Sequence, residues 1–280
     1  MEYSLVDILS EQPIDLPIFN PIALELMQQL ASPDVSYFEV IKTIKKDQAI
    51  SLQVLKMANS ASYSGLTKCE TIENAAIRLG TQQLANLAIA ASHASLHSSY
   101  DLVTNEVMQY LWQHSYSCAL GCRMIASQTG HQQLADHAYL AGLLHDVGKL
   151  YLIKALERIQ KQRIIPGLTL NHGTVWQVFS ALHVEFGCRV MDFWNIPEIY
   201  REVVAGHHLD LVEGDDFLLA IVRLVNIGSR RFSLSRFCSD SYDQIEAEMG
   251  TLSSITIRTD RLEAVMKGAP LNEAHFTTSS

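Results

Sequence analysis

His145, Asp146 and Lys149 stand within the run Gly142-Leu143-Leu144-His145-Asp146-Val147-Gly148-Lys149-Leu150, three side chains capable of chemistry between apolar flanks. Moving a charged or hydrogen-bonding group out of water without a partner is costly, so the three pair with one another, bind an ion or line the lip of a pocket. On one helix His145 and Lys149 would share a face, with Asp146 turned from them by about 100°. That arrangement lets the adjacent His145 and Asp146 bend toward one cation. Gly148 keeps the approach uncluttered.

His114, His183, His207 and His208 add to this pair. Together the six residues come from four predicted helices or helix ends, each in or beside an apolar stripe that faces a bundle interior. Imidazole and carboxylate suit Zn, Fe, Mn, Ni or Co, and helix bundles build metal sites from side chains on facing helices. The cofactor expected is a divalent transition metal, its identity open among these five. A polar core joined by hydrogen bonds, without an ion, accounts for the same residues and stays open at this point.

Positioning these side chains requires a particular set of helices. Ile22, Leu26 and Leu30 make an amphipathic stripe over Pro21–Ala31. Ser36 and Glu39 fit a capping box, followed by Tyr37, Val40, Ile41 and Ile44 as a buried face. Asp47 caps the next helix, Thr71 starts a short one ended by Gly80, and Thr81 opens one rich in Leu, Ala and Ile. His97–Asp101 is a polar connector. A long helix from Thr104 to about Gln128 turns His114 inward, and another from about Gln132 runs into His145. Beyond Pro166-Gly167, Thr174–Phe193 carries His183, the next helix ends in Gly206-His207-His208, and Asp216–Arg231 contains Asn226. After Phe232 the chain is Ser-rich and less periodic; a short strand-like stretch near Ile255 and Ile257 and a helix over Asp260–Lys267 are expected there. The fold class is all-α, a multi-helix bundle with an N-terminal helical lobe.

The composition narrows the function. At 280 residues, 48% hydrophobic and 18% charged, the chain has material for one large domain or two modest ones. A net charge of -9 shows no electrostatic footprint for nucleic acid and argues against anionic membranes. No apolar run reaches the roughly 20 residues of a membrane span, and the start lacks the pattern of a signal peptide, so the expected location is the cytoplasm. Cys69, Cys118, Cys122, Cys188 and Cys238 are scattered and odd in number, as expected of reduced packing residues. Trp112, Trp176 and Trp194 read as core. No Gly-rich phosphate loop or nucleophile elbow is present.

His114 followed about thirty positions later by His145-Asp146, with His145-Asp-Val-Gly-Lys149 in the form HDxGK, resembles the HD superfamily of metal-dependent phosphohydrolases and phosphodiesterases. Leu16-Pro17, the run from Asp47 through Leu55-Lys56-Met57-Ala58-Asn59-Ser60-Ala61 to Tyr63, Ala76-Ile77-Arg78-Leu79-Gly80 and Leu111-Trp112-Gln113-His114-Ser115 narrow the likeness. Together they resemble the HDOD domain, a signalling relative of HD, over roughly residues 14–232. The domain then divides into an N-terminal lobe, 14–98, and an HD-like lobe, 104–232, with 233–280 as a C-terminal extension.

The resemblance implies a regulatory or scaffold module of bacterial signal transduction, with other signalling proteins as partners and self-association open, while charge and hydropathy leave no nucleic acid or membrane partner expected. By similarity, His114, His145 and Asp146 match metal ligands of HD and HD-GYP enzymes, His183 sits where the latter add a histidine, and His207-His208 resembles their paired histidines. Lys149 matches the lysine that helps hold substrate phosphate or the attacking water, and it is catalytic only if the site turns over. Two departures count against turnover. Asn226 stands where the superfamily's last ligand is an Asp, and an amide is the poorer ligand. No Gly-Tyr-Pro follows His208, which removes cyclic-di-GMP hydrolysis from first place. The expectation is a non-catalytic module with a partly retained metal site, the alternatives being a metal-dependent phosphohydrolase and a metal-free interaction domain.

Overall fold

The computed structural model describes residues 5–11, 20–30, 35–60, 62–63, 65, 67–209 and 216–231. Leu16-Pro17, Ala61, Cys238, the strand-like stretch near Ile255 and the helix expected over 260–267 lie outside them. Every regular element among the described residues is helical.

Among the described residues six helices precede residue 97: α1 (Leu5–Glu11), α2 (Pro21–Leu30), α3 (Tyr37–Lys45), α4 (Gln48–Ala58), α5 (Ile72–Leu79) and α6 (Thr81–Ser95). Their starts follow local chemistry. Asp47 accepts from the amides of Ala49 and Ile50 at the head of α4, and Thr71 accepts from Asn74 at the head of α5. Ser36 precedes α3 in extended conformation, but its hydroxyl makes no cap bond, so the expected capping box does not close. Helix α6 is buried on all sides from Gln83 to His93. It packs on α2, α3, α4 and α5 and also on the second lobe, as a helix apolar all round must.

Then follow α7 (Leu102–Gln128), a 3-10 turn at Gln132–Leu134, α8 (Ala135–Leu144), α9 (Val147–Lys161), α10 (His172–Phe193), α11 (Glu198–Gly206) and α12 (Phe217–Arg231), the stretch expected to form the HD-like lobe. Asp101 and Asn171 cap α7 and α10 two or three residues earlier than the periodicity suggests, each accepting the amide three residues on. Trp112 and Trp194 are core, and Trp176 packs against it. Asn86 of α6 donates to the Asp136 carboxylate on α8 at 3.2 Å, one polar tie between the lobes. Helix α1 packs on α10 with Leu9 fully buried. Its seven residues are too few to show a period, and the partner that stabilises it lies far along the chain.

Among the described residues no helix is long and apolar enough to cross a membrane.

Candidate metal centre

Helix α8 ends at Leu144 and α9 begins at Val147, so His145 and Asp146 occupy the break between two helices. The expectation that His145 and Lys149 share one helix face is corrected here. Lys149 sits one turn into α9 and its Nζ lies 2.7 Å from Asp146 Oδ2. Asp146 precedes α9, yet its carboxylate makes no cap bond, because it is turned inward among the imidazoles.

Four elements deliver histidines to that carboxylate. Asp146 Oδ2 is 3.4 Å from Nε2 of both His114 on α7 and His145. Asp146 Oδ1 is 3.9 Å from His183 Nε2 on α10 and 3.5 Å from His207 Nε2 at the end of α11. All five residues are buried. The helices approach closely enough because glycines stand at their crossings: a Cβ on Gly142 would lie 2.8 Å from the Cys118 carbonyl oxygen of α7, and one on Gly187 would lie 2.6 Å from Val204 of α11.

The other ring nitrogens assign the tautomers. His145 Nδ1 is 2.9 Å from the Gly142 carbonyl, His183 Nδ1 2.6 Å from that of Phe179 and His207 Nδ1 2.8 Å from that of Val204. A carbonyl only accepts, so each Nδ1 carries the hydrogen and each Nε2 keeps its lone pair. His114 follows the same rule: Ser229 Oγ donates to the Asn226 carbonyl at 2.7 Å, leaving its oxygen to accept from His114 Nδ1 at 3.3 Å. Four Nε2 lone pairs thus converge on one carboxylate. His114 and His145 Nε2 face each other at 3.3 Å, while His183 Nε2, His207 Nε2 and Asp146 Oδ1 have no hydrogen-bond partner among the described residues. Such a set of buried acceptors is what a cation satisfies.

The electrostatics agree with that requirement. Burial pushes His183 and His207 down to about 4 and lowers His114, all three opposed by Asp146. Neutral imidazole is the form that ligates. Burial alone would raise Asp146, but the Lys149 ammonium on its Oδ2 opposes this, and the carboxyl lies well below its ordinary range.

Of the expected ligands, the fold brings His114, His145, Asp146, His183 and His207 together. His208 is exposed and sits at the rim, its ring 4.9 Å from that of His183, yet it offers a nitrogen within the 4.8 Å compass of Asp146, His183 and His207. Asn226 is buried on α12 one turn before Ser229. Sequence reasoning passed over two residues here. Ser229 carries no motif, and Cys118, read as packing, contributes a sulfur to a second group with His114 and His145. The signal for Cys118 was its place four residues after His114 on one helix.

A model of the HDOD domain matches residues 16–209. The chain belongs to the HDOD domain family. It is 28% identical over 202 residues to an uncharacterized protein of Treponema pallidum, covering 69% of this chain and 38% of the relative. It is 24% identical over 144 residues to the cyclic di-GMP phosphodiesterase CdgJ of Vibrio cholerae, covering 50% of this chain and 31% of that protein. In both cases the matched region is well under half of the relative's length. An HDOD domain protein of unknown function from Geobacter sulfurreducens, seen in its crystal structure, superposes with a TM-score of 0.71 at 21% identity over 95% of each chain. That likeness establishes the shared HDOD fold.

Proposed function

We propose that this HDOD chain is a non-catalytic regulatory and scaffold module of signal transduction, presenting its helical surface to another signalling protein around a structural divalent metal. The ligands come from two adjoining halves of the cluster, His114 and His145 on the Oδ2 side of Asp146, and His183 and His207 with the rim His208 on its Oδ1 side. The carrying observation is the convergence of buried Nε2 lone pairs on a carboxylate whose Oδ1 has no hydrogen-bond partner among the described residues. The donor set of imidazole and carboxylate fits Zn, Fe, Mn, Ni or Co. Three features favour a structural role over turnover: the depth of the ligands, the ammonium of Lys149 resting directly on Asp146, and the amide of Asn226 in place of a further carboxylate.

The second reading, a metal-dependent phosphohydrolase, is favoured by the rim. Lys149 keeps 16% of its side-chain surface exposed, and His208 is exposed beside His183. A bound cation would supply a water acidified toward neutrality. Of the chain's own residues, Lys149 would hold phosphate oxygens by its charge, while the Nδ1–H bonds of His145, His183 and His207 would fix the orientation of the rings.

Metal analysis of protein purified without chelator, paired with melting in chelator and an assay on an aryl phosphodiester, separates the readings. Bound metal, a lower melting temperature in chelator and no hydrolysis support the scaffold. Metal-dependent hydrolysis lost in Asp146→Ala establishes the phosphohydrolase. No metal and unchanged melting leave a hydrogen-bonded core.

A further inference from the structure

We infer that Cys118 is a thiolate ligand to a metal held by His114 and His145, which makes this half of the cluster a nitrogen, oxygen and sulfur site. The inference rests on the metal-centre reading and goes beyond it by assigning a ligand type and a metal preference.

Cys118 lies one turn beyond His114 on α7 and is fully buried. Its Sγ is 3.8 Å from His114 Nε2 and 4.0 Å from Nδ1. The ligand atoms of His114, Cys118 and His145 all fall within 4.8 Å of one another. In a tetrahedral site with metal–nitrogen bonds of about 2.0–2.1 Å and a metal–sulfur bond of about 2.3 Å, neighbouring ligand atoms stand roughly 3.3–3.6 Å apart. The 3.3 Å between His114 and His145 Nε2 and the 3.4 Å from each to Asp146 Oδ2 match this spacing. The Cys118 sulfur, 3.8 and 4.0 Å from the two His114 nitrogens, lies beside that ring and not along the Nε2 lone pair, so a χ1 rotation is what carries it into the shell.

Charge gives an independent reason. A dication beside neutral imidazoles needs anions, but Asp146 already shares its charge with Lys149 at 2.7 Å, and Asn226 brings none. A thiolate provides the missing negative charge. On binding, the Cys118 S–H bond breaks, the proton leaves to solvent, and the sulfur lone pair forms the metal–sulfur bond. A thiolate among imidazoles selects Zn, Fe(II) or Co over Mn or Mg. Cys122, one turn further along α7, differs in place: its sulfur packs against α8, where a Cβ on Gly142 would be 2.9 Å from it.

Loading the full chain with Co(II) alone tests the assignment by absorption spectroscopy. The expected result is a sulfur-to-cobalt charge-transfer band in the wild type and in Cys122→Ser, lost in Cys118→Ser while the visible cobalt bands persist and shift. Bound Co(II) without that band, or a band that survives Cys118→Ser, overturns the inference and leaves the metal centre standing. No bound Co(II) overturns the metal centre itself, and this inference with it. If Cys118→Ser does not fold, X-ray absorption of the wild-type Zn(II) complex decides. One sulfur at about 2.3 Å supports the assignment, and a shell of nitrogen and oxygen alone rejects it.

Discussion

Gly148 lies against the backbone of His183: a Cβ at Gly148 would stand 1.9 Å from the His183 carbonyl oxygen and 2.6 Å from the Gly187 nitrogen. Helices α9 and α10 therefore cross almost backbone to backbone, and that crossing brings His183 toward Asp146. The glycine of HDxGK has a packing duty as well as an open approach to the doublet.

Gly148→Ala is expected to force the crossing apart. Overpacking of this kind costs about 1–3 kcal/mol, and here the clash is with backbone that has no rotamer to yield. Urea unfolding should show a loss of at least that size, with lower metal content as His183 withdraws. An unchanged midpoint would contradict the crossing geometry.

Asp146→Asn removes the anion against which Lys149 and the four Nε2 atoms are arranged. Breaking a buried ion pair by deleting one partner typically costs about 3–5 kcal/mol, and Lys149 would be left beside neutral rings. Chemical unfolding and metal analysis should both report the loss. A stable variant with full metal content would mean that Asp146 is not a ligand.

His93 and His97 give an acid sensitivity away from the centre. Their rings lie 4.7 Å apart, buried beside Trp112. Burial pushes His93 well below its ordinary 6.5, and burial takes His97 to about 4 although the His93 carbonyl opposes it. The folded values lie below the unfolded one, so stability is full above 6.5 and falls as pH drops through the interval in which the unfolded chain alone takes up the proton. The slope is about 1.4 kcal/mol per pH unit for each such group, ending near pH 4 for His97. Urea midpoints followed downward from neutral pH should fall accordingly, and less steeply in His97→Gln. An equal slope in that variant would refute the assignment.

Two N-caps that look alike in the sequence should behave differently. Asp47 bonds two amides of α4, and its replacement by Ala should cost about 1 kcal/mol. Ser36 makes no cap bond, so Ser36→Ala should leave the melting temperature nearly unchanged. Equal losses would mean that the Ser36 cap closes in solution.

Periodicity and capping residues determined the all-α class and most helix boundaries, because an amphipathic stripe and an N-cap are local in the chain and need only a few neighbours to take effect. The set of converging histidines was legible for a related reason, since polar residues on apolar stripes must find company inside. What the tertiary structure decided depends on contacts between distant segments. Helix α1 exists against α10. The break at His145-Asp146 turns Lys149 onto the carboxylate. Ser229, 115 residues from His114, fixes which nitrogen of that ring faces the centre. Cys118 changed from a packing residue to a proposed ligand only when α7 and α8 closed over Gly142. Spacing along one helix says which side chains share a face, and only the packing of several helices says which atoms of those side chains meet.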